Sequence, residues 1–396
     1  MALDKPLDDI TEDDLLALVD REAESKKIEY KQSLPDKTSS GKKEFLADVS
    51  SFANAAGGDL IYGMEEAEGV ASRLCGLEVG DVDAEKLRLE NMLRDSIRPR
   101  IPGINIHPIY LANDNRVAIV IRVPRSWASP HRVETGHEKF YSRNSTGKYS
   151  LDVDELKAAF LLSETRAEHI RNFRSDRLGK IIAGETPAIL PQGAKIVLHI
   201  IPFGAFDPAR QYDLNFAYRQ SSLCGQVQGN QNLYWGESRY NFDGYLRYAI
   251  NQQRIIDSYL QFFKNGSIEM VDTYLLKPSL SDVEKCFIPN VIFEQELFTL
   301  VKNALIFQKQ LNVQPPVLIL LSFLDVLGYV MGTDGFLPRF KTLPQIDRSD
   351  LLIPEIMVEN FECNADEIMK PAFDAVWNAC GYPQSQNYDE QGRWKR

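Results

Sequence analysis

The stretch from Glu24 to Glu66, ESKKIEYKQSLPDKTSSGKKEFLADVSSFANAAGGDLIYGMEE, decides how this chain is read. Two glutamates, Glu24 and Glu29, stand five residues apart, and the second opens the pattern Glu29-Tyr30-Lys31. Ile28 to Lys31 predicts a short strand. A loop from Ser33 to Gly41 follows, rich in turn formers and lysine. From about Lys42 to Ala55, Phe45, Leu46, Val49, Phe52 and Ala53 recur at helical spacing, so a helix with one core-facing side is expected. Gly57 suits a left-handed C-terminal cap. Leu60 to Met64 then reads as a buried strand, in which Gly63 lets another backbone or a ligand come close. That strand ends in a second acidic pair, Glu65-Glu66. Carboxylates from neighbouring strands are therefore expected to converge.

Working outward, a first helix is expected from Thr11, where Thr11 and Asp14 make a capping-box pattern and Ile10 can staple onto Leu15. A third helix opens at Asp83 and stops before Pro99. Ile104 to Leu111 and Val117 to Val123 predict a hairpin around Asn113-Asp114-Asn115. Lys139 to Arg143 reads as a strand. Asp152 and Glu155 form another capping-box pattern, opening a helix through Leu162, and Glu164 to Lys180 is a charged helical segment. Gly184 to Gly193, with Pro187 and Pro191, reads as a linker, which places one domain at 1–184 and a second at 194–396. In the second, Lys195 to Phe203 alternates like a strand. Asn265-Gly266 is the strongest short-range hairpin signal in the chain. Glu294 to Leu311 and Ala365 to Cys380 are expected helices, and Val317 to Phe323 a buried strand or helix.

The 396 residues carry a formal net charge of −11, which argues against general affinity for nucleic acid or anionic membrane but leaves room for a local basic surface. Five scattered cysteines with no CxxC pair fit a reducing, cytoplasmic setting and offer no zinc framework. The acidic start is not that of a signal peptide, and the most apolar run, Val317 to Phe323, is too short to span a bilayer.

Two or three carboxylates can hold Mg²⁺ or Mn²⁺ against a phosphate, and such an ion can activate water. Taken alone, an E-x-K pattern is common on solvated strands and helices, and Glu65-Glu66 is an ordinary turn after a strand. The segments Glu24 to Lys31, Ser51 to Gly58, Leu60 to Glu66 and Phe140-Tyr141-Ser142-Arg143, in this order and spacing, closely resemble the Schlafen AlbA-2 domain over roughly residues 15 to 165.

The resemblance implies an α+β fold: an N-terminal Schlafen AlbA-2-type domain followed by a second mixed α+β domain of unassigned role. It also implies a nucleic-acid-binding protein. The nuclease-active Schlafens use two glutamates five residues apart and an acid after the Gly-Gly strand to cleave tRNA and other structured RNA with a divalent metal. The matching positions are Glu24, Glu29 and one of Glu65 and Glu66, with Lys31 near the same phosphate. This chain has glutamate where the third acid is usually aspartate. The family setting suggests stress response or antiviral defence. The alternatives are a non-catalytic nucleic-acid-binding regulator and an ATP-binding module, although no GxxxxGK[ST] occurs. One AlbA-2 segment, where active Schlafens present two lobes, suggests a homodimer.

Lys42, Lys43, Arg98, Arg100, Arg132, Arg143 and Lys148 are the expected phosphate contacts, binding shape rather than sequence. Tyr141 and Trp127 are candidates for base stacking, Tyr141 equally for the core. His131 and His137 read as structural hydrogen-bonders.

Overall fold

In the computed structural model, which describes residues 3, 5–112, 116–135, 138–207, 211–219, 234–250, 255–276, 286–332 and 343–395, contacts divide the chain into two units, Met1–Thr165 and Arg166–Arg396. The first holds α1 (Glu12–Leu16), β1 (Ile28–Lys31), α2 (Ser39–Asn54), β2 (Gly57–Tyr62), β3 (Met64–Ala67), β4 (Val70–Leu74), α3 (Val82–Ser96), β5 (Ile97–Arg98), β6 (Asn105–Tyr110), β7 (Val117–Pro124), β8 (Arg132–Val133), β9 (Lys139–Asn144), β10 (Gly147–Ser150) and the start of α4 (Val153–Ile182). One sheet runs β1-β2-β7-β6, with β1 and β2 parallel and the other pairs antiparallel. The helix α2 is the crossover that a parallel pair requires. A second sheet, β10-β9-β8-β5, is antiparallel throughout.

Strand alternation decides what faces α2. Ile28, Tyr30 and Ile61 join one core with Ile10 and Leu15. Leu60 and Tyr62 join another with Phe45, Val49 and Phe52 of α2. Each of those phenylalanines is fully buried and contributes about 1.5–3 kcal/mol by leaving water. Glu29 pairs in register with Leu60 and Lys31 with Tyr62, so both charged residues share the α2 side of the sheet.

The helix α2 starts at Ser39, three residues before the expected Lys42. Thr38 caps it, its hydroxyl accepting the Gly41 N–H at 3.1 Å. Gly57 has the expected left-handed φ of 73°, but the helix cap is Ala55 and Gly57 opens β2. At Gly63 the close approach comes from backbone: an added Cβ would lie 3.1 Å from Gly76 Cα. Both capping boxes form. Thr11 N–H donates to Asp14 Oδ2 at 3.0 Å, and Asp152 and Glu155 exchange backbone-to-carboxylate bonds of 3.0 and 2.8 Å. The strands β6 and β7 pair as the hairpin reading expects; its turn, residues 113–115, and His137 lie outside the described residues.

The second unit holds the rest of α4, then β11 (Lys195–Pro202), α5 (Leu214–Arg219), β12 (Tyr234–Tyr240), β13 (Gly244–Ile250), β14 (Ile256–Phe263), β15 (Ile268–Asp272), β16 (Phe287–Pro289), α6 (Asn290–Gln310), β17 (Val317–Leu324), β18 (Val330–Gly332), β19 (Leu351–Leu352), β20 (Ile356–Val358) and α7 (Ala365–Ala379). Its main sheet runs β12-β13-β14-β15-β11-β17-β19, with β20 also on β17. The Asn265-Gly266 turn joins β14 and β15, which pair antiparallel. The strand β17 resolves the open choice at 317–323. All eight of its residues are buried because residues of α6 and α7 pack on one face, with Leu321 and Phe323, and residues of α4 on the other, with Leu324. That two-sided burial erases alternation from the sequence.

The division falls at 165/166, inside α4, whereas the sequence points to the 184–193 segment. The two expected helical segments, 152–162 and 164–180, are one helix. Its second half brings Leu178 and Ile181 onto the second unit's core, and Arg177 donates to both oxygens of Glu269 at 2.7 Å. Among the described residues, no helix is long and apolar enough to cross a membrane.

Candidate functional site

Six charged side chains from three parts of the first unit meet beside α2. Glu29 and Lys31 come from β1. Glu44 and Asp48, one helical turn apart, come from α2. Arg143 and Lys148 are directly opposed in register on the β9–β10 hairpin. Lys31 Nζ donates to Glu29 Oε1 at 2.9 Å, and Arg143 Nη2 donates to Glu29 Oε2. The Arg143 guanidinium also lies over the Phe52 ring, 4.2 Å from its centroid. Lys148 Nζ donates to Asp48 Oδ1 at 2.7 Å. Glu44 Oε1 stands 3.6 Å from Lys31 Nζ and 3.7 Å from Lys148 Nζ.

Burial sets the electrostatics. Desolvation pushes the Glu29 carboxyl up, but the hydrogen bonds from Lys31 and Arg143 outweigh it and hold the group below its ordinary value. Desolvation raises the Asp48 carboxyl despite Lys148, and the Glu29 charge adds to the rise. Asp48 Oδ2 and Arg143 Nη1 are buried without a hydrogen-bond partner among the described residues.

The other expected acids are placed differently. Glu24 Oε1 accepts the Tyr30 N–H at 3.0 Å. Its carboxyl is raised by burial, against the Tyr30 bond, with Glu29 and Glu66 adding repulsion. Glu65 accepts from Arg73 at 2.7 Å and from Gln32 at 2.7 Å. Glu66 is exposed. Among the described residues, no group of three or more His, Cys, Asp or Glu side chains could hold a metal ion. With Glu29 engaged by two cations and Glu65 by Arg73, the carboxylates as placed do not form a ligand set for Mg²⁺ or Mn²⁺.

The expected basic contacts separate into two groups. Arg143 is buried on Glu29, because the β9 strand turns it toward β1, and so does not face solvent. Arg132 is held by Glu134 at 2.6 Å and Glu138 at 3.0 Å. Arg98 donates to the Arg94 and Ile97 carbonyls at 2.6 and 2.9 Å. The side chains of Lys42, Lys43 and the exposed Arg100 have no hydrogen-bond or ion-pair partner among the described residues. Trp127 is fully buried, which removes it as a stacking platform, while Tyr141 packs partly buried against the α2 core. His131 is structural: it is buried, its Nδ1 lies 2.8 Å from Pro99 O, and desolvation lowers its pKa to about 4.

Sequence reasoning passed over Glu44 and Asp48. The signal for Asp48 was present. It falls between Phe45 and Phe52 on the apolar stripe of α2, where a carboxylate needs a partner.

No curated protein matches the chain. Among solved structures, the DIP2311 protein from Corynebacterium diphtheriae is similar at 16% identity over 32% of this chain and 25% of that one, with a TM-score of 0.24, too low to carry an argument. Residues 24–152 match the family model described as Schlafen, AlbA_2, and span both sheets and all six of the clustered charges, with mixed α and β structure. The N-terminal part of this chain therefore belongs to the Schlafen AlbA_2 domain family, which is broadly linked to nucleic-acid metabolism.

Proposed function

We propose that the first unit binds structured RNA, tRNA among the candidates, through its phosphate backbone. One observation carries this reading. In a chain of net charge −11, Lys42, Lys43 and Arg100 stay without acidic partners among the described residues, although acids are abundant. Unpaired cations on an acidic protein are available to phosphates, and such contacts make affinity fall steeply with salt. The test is equilibrium binding of a labelled tRNA and a duplex DNA across a salt series in EDTA. Salt-dependent RNA binding supports the reading; no binding at low salt removes it.

A second reading is a divalent-metal-dependent endoribonuclease. It is favoured by the match of residues 24–152 to the Schlafen, AlbA_2 family model, and it requires Glu24, Glu29 and one of Glu65 and Glu66 to leave their present arrangement to hold Mg²⁺ or Mn²⁺. Cleavage of tRNA with either ion, and none in EDTA, supports it. If a second copy completes the RNA surface, light scattering detects a homodimer on adding RNA.

A further inference from the structure

The contact between Glu44 and the two lysines is unlike the others in the cluster. Lys31 and Lys148 are each held at hydrogen-bond distance, by Glu29 at 2.9 Å and Asp48 at 2.7 Å. Both anchoring carboxylates are buried, 11% and 1% exposed at the side chain, so the ammonium groups are fixed in place. Each lysine side chain remains 28% exposed. An ammonium has three donors, and the bonds to Glu29 and Asp48 use one apiece. Both ammonium groups also stand near one further oxygen, Glu44 Oε1, at 3.6 and 3.7 Å. Those distances are beyond a good hydrogen bond, and Glu44 is 59% exposed. An exposed pair of this kind is weak and readily displaced.

The charges in the cluster balance: Glu29, Glu44 and Asp48 against Lys31, Arg143 and Lys148. Removing Glu44 from its position leaves one uncompensated positive charge. The group that restores neutrality there is a monoanion with oxygens able to accept from two ammoniums, and a phosphodiester has that charge and that donor requirement. We propose that Lys31 and Lys148 form a two-point clamp for one backbone phosphodiester of the bound nucleic acid, and that Glu44 occupies the clamp as an internal competitor in the free protein. This rests on the RNA-binding reading above and assigns it a specific phosphate site. Asp48 is a positioning residue: it holds Lys148 without touching the ligand.

The test is binding of a fluorescein-labelled RNA hairpin by the full chain in EDTA at several salt concentrations. Glu44→Gln keeps the side-chain size and removes the competing charge. It is expected to tighten binding about three- to tenfold. Glu90→Gln removes one exposed acid from α3 and controls for net charge; it is expected to change binding less than twofold. Lys148→Gln keeps an N–H donor for Asp48 while removing the ammonium. It should weaken binding, lower the salt slope by about one, and abolish the gain from Glu44→Gln in the double variant. The clamp is overturned if Glu44→Gln binds as wild type does, if Glu90→Gln tightens as much, or if the gain survives in the Lys148→Gln background. In each of those cases wild type still binds RNA, so the broader reading stands. If neither wild type nor any variant binds RNA at low salt, both fall. Circular dichroism melts of each variant establish that the folded protein is being compared.

Discussion

Lys148 Nζ lies 2.7 Å from Asp48 Oδ1, so one ion pair ties the β9–β10 hairpin to the middle of α2. The Asp48 side chain is 1% exposed, whereas Lys148 reaches solvent. Removing the lysine leaves a buried carboxylate without its donor, which costs about 1–3 kcal/mol. Lys148→Met is therefore expected to lower urea-unfolding stability by that amount. Adding Asp48→Asn should restore most of it, because the charge that needed the partner is gone. Additive losses in the double variant would show that the pair is not coupled.

Glu24 and Glu29 should respond oppositely to the same change. Glu29 is held below its ordinary pKa by Lys31 and Arg143, so its ionised form stabilises the fold; that contribution is present above the unfolded pKa and is lost as pH falls through the lower folded value. Glu29→Gln leaves Arg143 buried with its main partner neutralised and should cost about 2–4 kcal/mol at pH 7. Glu24 is raised by burial and by its acidic neighbours, so its ionised form is disfavoured in the fold. Glu24→Gln should be neutral or stabilising, within about 1 kcal/mol. Denaturant melts at pH 7 compare the two directly.

His131 predicts an acid-sensitive step. Desolvation lowers its pKa from 6.5 to about 4, so the unfolded chain binds the proton first and stability rises with pH across that window. The contribution is fully present above about pH 6.5 and is lost on acidification toward pH 4, by up to about 3 kcal/mol at the 1.36 kcal/mol per unit that links pKa to free energy. His131→Asn keeps a donor near Pro99 O and cannot titrate. Its stability should be flatter between those pH values, measured by urea melts. A wild-type curve already flat there would rule out the buried neutral imidazole.

Among the basic residues, exposure and pairing rank the effects on RNA binding. Arg100→Ala should weaken binding across RNA sequences alike and reduce the salt slope by about one. Arg132→Ala should do less, since Arg132 is already engaged by Glu134 and Glu138. Filter binding over a salt series distinguishes them, and equal losses would mean that those ion pairs open on binding.

In the second unit, Glu269 is fully buried and accepts from Arg177 Nε and Nη2 at 2.7 Å each, from Tyr259 Oη at 2.8 Å, and shares a 2.9 Å contact with His199 Nε2. Glu269→Leu leaves the Arg177 charge without its carboxylate and should cost about 3–5 kcal/mol. Hydrogen exchange should then show faster opening of the second half of α4, because Arg177 is one of its polar anchors on the sheet, beside Arg174, which donates to Ser322 and Leu321.

The sequence by itself determined the helices of the first unit and its strands β1, β2, β6, β7 and β9, in order, but not the short strands β3, β4, β5, β8 and β10. Helical periodicity in Phe45, Val49 and Phe52 marked α2, the glycines marked its exit, and the Thr11–Asp14 and Asp152–Glu155 patterns marked two helix starts, all of which depend on neighbours within a few residues. It also carried the family, because motif order and spacing are linear properties. What only the tertiary structure decided was which charges neutralise which. Glu29 meets Arg143 across 114 positions of chain, and Asp48 meets Lys148 across 100. No local pattern encodes those partners, since the pairing follows from the parallel β1–β2 crossover and from the β9–β10 hairpin lying against α2. The same physics turned Arg143 from an expected phosphate contact into a buried counter-ion: an arginine beside a desolvated carboxylate is more stable paired than solvated, and only the fold brings that carboxylate within reach.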